Sequence, residues 1–159
     1  MSIVLFRIDE RLIHGQVVVG WGGRLRPDLF VVVDSALASS EWEQELYLLG
    51  VPEGSEAIFL SPEEGREALP GLRENPERAL VLTRDIATML VLASGGSMRG
   101  DAVNLGGIHS QTGRDEVLPY LFLDDEDREG LRALAEEGVT ISARDLPGSH
   151  EVTLKVLLG

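Results

Sequence analysis

Short apolar runs rich in β-branched residues alternate along this chain with segments that carry helix caps. Most of the runs are continuous rather than strictly alternating, which is typical of strands buried on both faces. They span residues 3–6, 29–33, 57–60, 79–83, 102–105, 119–123 and 139–143. Strands that alternate with helices imply a mainly parallel sheet with helices on both faces. The sequence therefore predicts an open, doubly wound α/β fold with a sheet of about six or seven strands.

The segments between the runs carry the start and stop signals of helices. SPEEGREAL has a serine cap followed by proline, DDEDREGLRALAEEG opens with acids, and SSEWEQELYLLG and RDIATMLVLASGG both end at glycine. These residues are favoured at helix starts and ends, respectively. A further helix is expected to begin near residues 15–17. For the final stretch, EVTLKVLLG, periodicity does not decide between a strand and a terminal helix.

Length and hydropathy favour one domain over residues 1–159. No stretch reaches the roughly 20 apolar residues that a membrane-spanning helix needs. The first ten residues become charged too early for a secretory signal. We therefore expect a cytoplasmic protein.

Charge and residue types exclude several kinds of chemistry. The formal net charge of −13 argues against nucleic acid as a partner, because phosphate backbones are bound by basic surfaces. The absence of cysteine excludes disulfides, thiolate catalysis and cysteine-ligated zinc. The acidic DDEDRE segment is better explained by helix-start charges than by a metal site. No metal and no organic cofactor is expected.

The segment RIDERLIHGQ, residues 7–16, is a charged junction that directly follows the first apolar run. In doubly wound sheets ligands bind beyond the carboxyl ends of the strands, so His14 should lie at the functional edge, just ahead of a helix. The amides of a helix start favour an anion by about 0.3–1 kcal/mol. A charge-assisted bond from arginine to a phosphate-like oxygen contributes about 1.5–3 kcal/mol, so Arg11 should matter more than the helix.

A neutral histidine has one ring nitrogen free to attack an electrophile, and the junction around His14 suits a transient phosphohistidine. Asp9 or Glu10 could orient the other ring nitrogen or position Arg11. Gly15 lets the backbone approach a bulky anion closely. The alternative is that His14 only caps the helix or lies at the surface.

Three further arginines are expected at the same edge of the sheet and are weaker candidates for phosphate binding. Arg7 closes the first strand, Arg84 follows the fourth, and Arg114 lies in the glycine-rich VNLGGIHSQTGR after the fifth. His109, in the same loop as Arg114, could assist phosphate contact or proton transfer, or could simply bond to the backbone.

The opening IVLFRIDERLIHGQVVVGW strongly resembles the start of the IIB components of the mannose and sorbose family in the bacterial phosphoenolpyruvate-dependent sugar phosphotransferase system. The long R-I-D-x-R-L-I-H-G-Q-V pattern is far more specific than a lone glycine loop. The similarity continues through VVVDSALAS, ALVLTRD and AVNLGGIHSQTGRDEV. The family pattern differs at LTRD, which holds Arg84, and at His109.

The resemblance implies that His14 accepts a phosphoryl group on its δ nitrogen from a phosphorylated IIA domain. It then passes this group to a sugar that enters through membrane IIC and IID components, as a protein-N(pi)-phosphohistidine–sugar phosphotransferase. Arg11 matches the arginine that stabilises the phosphohistidine, and Asp9 and Gln16 match other motif positions. The implied sheet is mixed, with an antiparallel last strand, and the protein would associate peripherally with the membrane components.

Two other classes of function are kept as alternatives. One is a regulatory or anion-binding module that keeps the fold and the loop without sugar transfer, and the other is a stand-alone small-molecule-binding α/β protein. Whether the chain forms a homo-oligomer is left open.

Overall fold

A seven-stranded sheet, parallel except at one edge, forms the centre of the molecule. The computed structural model describes residues 2–159. The strands are β1 (Ile3–Ile8), β2 (Leu29–Val33), β3 (Glu56–Leu60), β4 (Ala79–Thr83), β5 (Ala102–Leu105), β6 (Asp115–Leu118), β7 (Leu121–Leu123), β8 (Thr140–Ala143) and β9 (Val152–Thr153). The order in the main sheet is β3-β2-β4-β1-β5-β8-β9, and β9 pairs antiparallel with β8. The predicted mainly parallel sheet of six or seven strands is therefore confirmed, and so is the antiparallel last strand.

Helical segments follow most of the strands. In chain order they are a π-helix (Gln16–Trp21), α1 (Gly22–Leu25), α2 (Ser35–Ala38), α3 (Glu41–Leu48), α4 (Pro62–Glu74), α5 (Ile86–Ala93), a 3₁₀ turn (Ser94–Gly96), α6 (Asp125–Glu136) and α7 (Leu154–Leu158). Ser61 and Asp124 each begin a capping box, and Asp34 and Asp85 accept a bond from the backbone of the first turn. These side chains satisfy amides that have no partner within the helix. None of the helices in residues 2–159 has the length and apolar character needed to cross a bilayer.

Hydrophobic side chains are buried in two clusters, one on each face of the sheet. The first contains residues of α4, α5, α6 and α7, including Leu69, Met89 and Leu131. The second contains Val17 and Trp21 of the π-helix together with Leu37 of α2. The alternating strand residues supply both clusters, because successive side chains of a strand point to opposite faces. Helices therefore cover both faces, as predicted.

The central strand β1 leads to one face of the sheet, whereas its neighbours β4 and β5 lead to the other. The chain after β1 enters the π-helix of the second cluster, while α5 and α6, which follow β4 and β5, pack in the first. At such a switch point the loops diverge and leave a crevice at the carboxyl ends of the strands. This crevice lies where the charged segment 7–16 leaves the sheet.

The strand predicted at residues 119–123 forms over Leu121–Leu123, but it does not join the main sheet. It pairs antiparallel with Asp115–Leu118 in a separate two-stranded sheet. Proline 119 lacks an N–H, and it lies in the turn that joins these strands. The undecided final stretch supplies both a two-residue strand, β9, and the short helix α7.

Candidate active site

The carboxylate of Asp9, directly after β1, is the point at which the groups of the charged junction meet. Its side chain is fully buried, and its Oδ2 accepts a bond of 3.1 Å from the Arg7 guanidinium. Its Oδ1 accepts a 3.1 Å bond from the backbone N–H of Arg11 and lies 3.7 Å from the Nε of the same residue. Nε2 of His14 lies 3.6 Å from Oδ2. A buried carboxylate requires such partners, and here they fix the relative positions of Arg11 and His14.

Arg7 lies behind Asp9, inside the protein. Its guanidinium donates to Asp9, to the side-chain oxygen of Asn104 and to the backbone carbonyls of residues 144–145, and it lies 5.2 Å from the ring of Trp21. Burial lowers the pKa of Arg7, while the charge of Asp9 acts in the opposite direction. The guanidinium remains protonated at neutral pH. The sequence predicts Arg7 as a weaker candidate for phosphate binding, but its side chain has no exposed surface with which to contact an incoming phosphate. Arg7 instead positions Asp9.

Gly106 allows this buried ion pair to form. A Cβ at this position would lie 2.6 Å from Cζ of Arg7 and from Oδ2 of Asp9. At Gly107 the nearest atoms, on Arg11 and Asp9, would be 3.8 Å away, which is ordinary contact. The first glycine of the pair is therefore required by the packing of charged side chains over the backbone.

His14 is held by a strained turn of the backbone. Leu12 has a φ of 55° although it is not glycine, and its side chain is fully buried. Such a conformation costs about 1–3 kcal/mol and is typical of functional sites. The turn brings the carbonyl oxygen of Leu12 to 2.9 Å from Nδ1 of His14, a hydrogen bond when that nitrogen carries the proton. The imidazole is 15% exposed, so a partner can reach its edge.

Arg11 and Gly15, near His14 in the chain, are exposed, and Gln16 is half-buried. The Arg11 side chain is about half exposed and donates a 2.8 Å bond to the side-chain oxygen of Gln16. Nothing lies within 4 Å of the place where a Cβ of Gly15 would be, so the backbone there is open to a bulky group. No side chain caps the helix that starts at Gln16, and the N–H of Val18 in its first turn donates a 2.9 Å bond to the carbonyl of His14.

Arg84 and Arg114 lie across an adjacent cleft of 460 Å³, which Arg11 also lines. The Nε of Arg84 is 3.4 Å from Oδ1 of Asp34, and the Nε of Arg114 is 3.4 Å from Oδ2 of Asp127. Burial acts to lower the pKa of Arg84, but the neighbouring Asp34 carboxylate contributes to a net rise. Burial raises the pKa of Asp127. The structure therefore brings Arg11, Arg84 and Arg114 to one cleft.

Sequence reasoning missed the residues that support the site from within. Asn104 and Trp21 both bind the Arg7 network, and the indole of Trp21 also donates a 3.0 Å bond to the carbonyl of Asp145. The sequence does signal that Arg7 needs a buried partner, because a charged residue inside an apolar strand must find one. It does not signal which residue the partner is, since the contacts of Arg7 span 97 to 138 positions of sequence. No group of three His, Asp or Glu side chains in residues 2–159 is arranged to hold a metal ion.

Comparison with known proteins decides the family. The model for the sorbose subfamily of IIB components of the PTS, the phosphotransferase system, matches residues 3–159. This chain belongs to that family. Membership makes it a component of a sugar phosphotransferase system with a phosphocarrier role in sugar transport.

Relatives and solved structures agree along the whole chain. The N-acetylgalactosamine-specific phosphotransferase enzyme IIB component 1 of Escherichia coli K12 is 30% identical over 150 residues, covering 94% of each protein. The mannose-specific EIIAB component of the same organism is 27% identical over 157 residues, which are 99% of this chain and 48% of that protein. The IIBSor domain of the sorbose permease from Klebsiella pneumoniae superimposes with a TM-score of 0.88 at 24% identity, covering 99% of this chain and 96% of that one. The last likeness confirms the fold.

Proposed function

We propose that His14 carries the phosphoryl group, accepting it on Nδ1 from a phosphohistidine of a IIA domain and passing it to a sugar. The observation that carries this proposal is the position of the Asp9 carboxylate, 3.6 Å from Nε2 of His14 and in contact with Arg11. A carboxylate that bonds to one ring nitrogen holds the proton there and leaves the lone pair on the other. At 3.6 Å the Asp9 carboxylate does not yet bond to the buried Nε2, and a small movement of the ring toward Asp9 would form that bond and leave Nδ1 as the nucleophile.

In the first transfer the lone pair of His14 Nδ1 attacks phosphorus, and the P–N bond to the donor histidine breaks. The electron pair of that bond returns to the donor ring, so the step needs neither an oxidant nor a reductant. The proton on Nε2 stays in place, where the charge that develops on the ring is stabilised by Asp9. Nδ1 carries the proton when it donates to the Leu12 carbonyl, 2.9 Å away, so that proton must leave to solvent and one must be held on Nε2 before the attack. The ring must also turn Nδ1 away from that carbonyl.

Arg11 and the start of the helix stabilise the group once it is on His14. The Arg11 guanidinium is tethered to both Asp9 and Gln16, so it is held close to the ring and is still exposed to an arriving anion. Phosphoryl transfer depends chiefly on alignment and charge stabilisation, and a preorganised arginine supplies both. Gly15 leaves space for the phosphoryl oxygens.

The partners of this reaction are a IIA domain on one side and the membrane IIC and IID components on the other. A IIA donor is supported by the mannose-specific relative, which is named as an EIIAB protein and of which this chain matches 48%. In the second transfer a sugar hydroxyl oxygen attacks the phosphorus, the P–Nδ1 bond breaks, and the hydroxyl proton leaves to solvent. The chain would work on the cytoplasmic side, beside the membrane components.

The test is phosphorylation from labelled phosphoenolpyruvate with the general phosphotransfer proteins and a IIA protein. We expect an acid-labile, base-stable label on the wild-type chain and none on His14→Ala, while His150→Ala, changed far along the chain, labels normally. Equal labelling of wild type and His14→Ala would overturn the assignment. Membranes that contain IIC and IID should then remove the label only when sugar is present, and loss without sugar would contradict a transport role.

A further inference from the structure

The buried guanidinium of Arg7 joins several segments of the chain behind the candidate phosphohistidine site. Arg7 on β1 and Asn104 on β5 are partners in the parallel ladder, so their side chains point to the same face of the sheet. Nη1 of Arg7 donates to the side-chain oxygen of Asn104 and, over 2.9 Å, to the carbonyl of Arg144. Nη2 donates to Asp9 and to the carbonyl of Asp145, each over 3.1 Å. Asn104 therefore anchors one arm of the guanidinium while the other arm reaches Asp9.

The charge of Arg7 is balanced mainly by Asp9. Within residues 2–159, Asp9 is the one ionised group that accepts a hydrogen bond from Arg7, since the other acceptors are an amide and two backbone carbonyls. The carboxylate of Asp145 acts on Arg7 without a hydrogen bond and more weakly than Asp9 does. Burial raises the pKa of the nearby Tyr120, which is therefore uncharged at neutral pH. The guanidinium and the Asp9 carboxylate thus form a nearly neutral pair.

This pairing determines how the Asp9 carboxylate can act on His14. Nη2 of Arg7 and Nε2 of His14 face the same oxygen, Oδ2, at 3.1 and 3.6 Å. A buried carboxylate without a counter-charge would favour a second proton on the imidazole, because opposite charges attract strongly where water is excluded. A doubly protonated ring has no lone pair with which to attack phosphorus. A carboxylate whose charge is already balanced can orient a proton on Nε2 without drawing a second proton to the ring.

Arg11 is a poor substitute for Arg7 in this balance. Its Nε lies 3.7 Å from the other oxygen of Asp9, Oδ1, and its side chain is 52% exposed. Water and salt screen an exposed charge, whereas the side chain of Arg7 has no exposed surface. The constant counter-charge of Asp9 is therefore the buried guanidinium.

We propose that Asn104 is a positioning residue that holds Arg7 on Asp9. The arrangement keeps the imidazole of His14 singly protonated and able to accept a phosphoryl group. The inference rests on the proposed function, because it explains how the nucleophile of that transfer is kept available. Asparagine suits this role because its amide oxygen accepts a bond from the guanidinium and adds no charge. A carboxylate there would compete with Asp9 for Arg7, and an apolar side chain would leave Nη1 with the Arg144 carbonyl.

The test is nitrogen-15 NMR of the His14 ring in the unphosphorylated full-length chain, followed from about pH 5 to about pH 9. The midpoint is the pH at which half of the rings are doubly protonated. We expect Asn104→Asp to raise this midpoint by about 1 pH unit, since two carboxylates then share Arg7. Asn75→Asp, the same change at the end of α4, should leave the midpoint unchanged. A wild-type midpoint in folded Asn104→Asp would overturn the proposal.

Two further variants separate positioning from a direct effect of the new charge. Asn104→Leu removes the acceptor without adding charge, and it should raise the midpoint by a smaller amount. It also serves as the test if Asn104→Asp does not fold, and an unchanged midpoint would then contradict the proposal. In the Asp9→Asn background, Asn104→Asp should have no further effect on the midpoint. A shift that persists without the Asp9 carboxylate would show that the effect does not pass through Asp9.

The rate of phosphorylation by a IIA protein gives a second readout. The acid limb of the pH–rate profile of Asn104→Asp should move to higher pH with the midpoint, while the rate at high pH should approach that of the wild type. An equal loss of rate at every pH would indicate a merely structural role for Asn104. Equal labelling of wild type and His14→Ala would refute the phosphohistidine assignment and leave the NMR midpoints standing. Normal labelling with an unchanged midpoint would refute only the role of Asn104.

Discussion

Two loops meet at the carboxyl edge of the sheet, and they are held in opposite ways. The loop after β1, residues 9–16, is fixed from below by the fully buried pair of Arg7 and Asp9. The loop after β5, residues 106–114, ends in an exposed segment in which His109, with a side chain 64% exposed, binds Glu10. Buried charges cannot separate without a large penalty, whereas exposed pairs exchange readily with water. The nucleophile thus lies on the rigid loop and Arg114 on the adaptable one.

Removal of the buried cation of Arg7 should have the largest effect on stability. Arg7→Met leaves the carboxylate of Asp9 buried beside a neutral side chain, so we expect a loss of about 3–5 kcal/mol in the free energy of unfolding. Urea denaturation followed by circular dichroism measures it. The matched variant Arg132→Met, at an exposed ion pair on α6, should change stability by less than about 1 kcal/mol. A similar small effect for Arg7→Met would show that the first loop is not held by its buried pair.

Substitution of Arg11 should lower the rate of phosphoryl transfer without lowering the stability of the fold. Arg11→Gln removes the exposed guanidinium that stabilises the phosphoryl group, and the rate of phosphorylation by a IIA protein should fall about 10- to 100-fold. The free energy of unfolding should stay within about 1 kcal/mol of wild type, because the side chain is half exposed. Rapid-quench labelling and urea denaturation give the two quantities. An unchanged transfer rate would remove Arg11 from the mechanism.

The glycine pair after β5 offers a matched comparison of its own. At Gly106 an added methyl would overlap the Arg7–Asp9 pair, and Gly106→Ala should destabilise by about 1–3 kcal/mol. At Gly107 the same methyl has ordinary contacts, and Gly107→Ala should cost less. Thermal unfolding of the two variants side by side checks the order. The reverse order would mean that the buried pair tolerates displacement.

The smallest effect is expected at the exposed link between the loops. His109→Ala should lower the free energy of unfolding by less than about 1 kcal/mol, because the His109 side chain is 64% exposed. His109→Asn, which keeps a donor near the position of Nδ1, serves as the control. If urea denaturation showed that His109→Ala lowers the free energy of unfolding by several kcal/mol, the loop after β5 would be held as firmly as the loop after β1. The contrast between the two loops would then be wrong.

The fold was predictable because its signals are local. Continuous apolar runs indicated buried parallel strands, and caps such as Ser61 and Asp124 marked helix starts. At residues 119–123 a strand does form, over Leu121–Leu123, but it pairs locally with β6 and not in the main sheet. Composition does not report which partner a strand will choose.

The residues of the site could be predicted from the sequence, but which of them are buried could not. His14, Arg11 and Asp9 lie in one short segment, so their proximity followed from spacing. Arg7 was expected to face the ligand because it ends the first strand, yet contacts to Asn104 and to the backbone near residue 144 bury it. Such long-range contacts leave no trace in local sequence.

Nitrogen-15 NMR of the phosphorylated chain tests the account most directly, since it identifies which ring atom bears phosphorus. With Asp9 facing Nε2, the phosphorus should couple to Nδ1 of His14, and the Nε2 proton should remain bound. The Asp9→Asn variant should be labelled more slowly at the same atom. Phosphorus on Nε2 of His14, or on another histidine, would contradict the account.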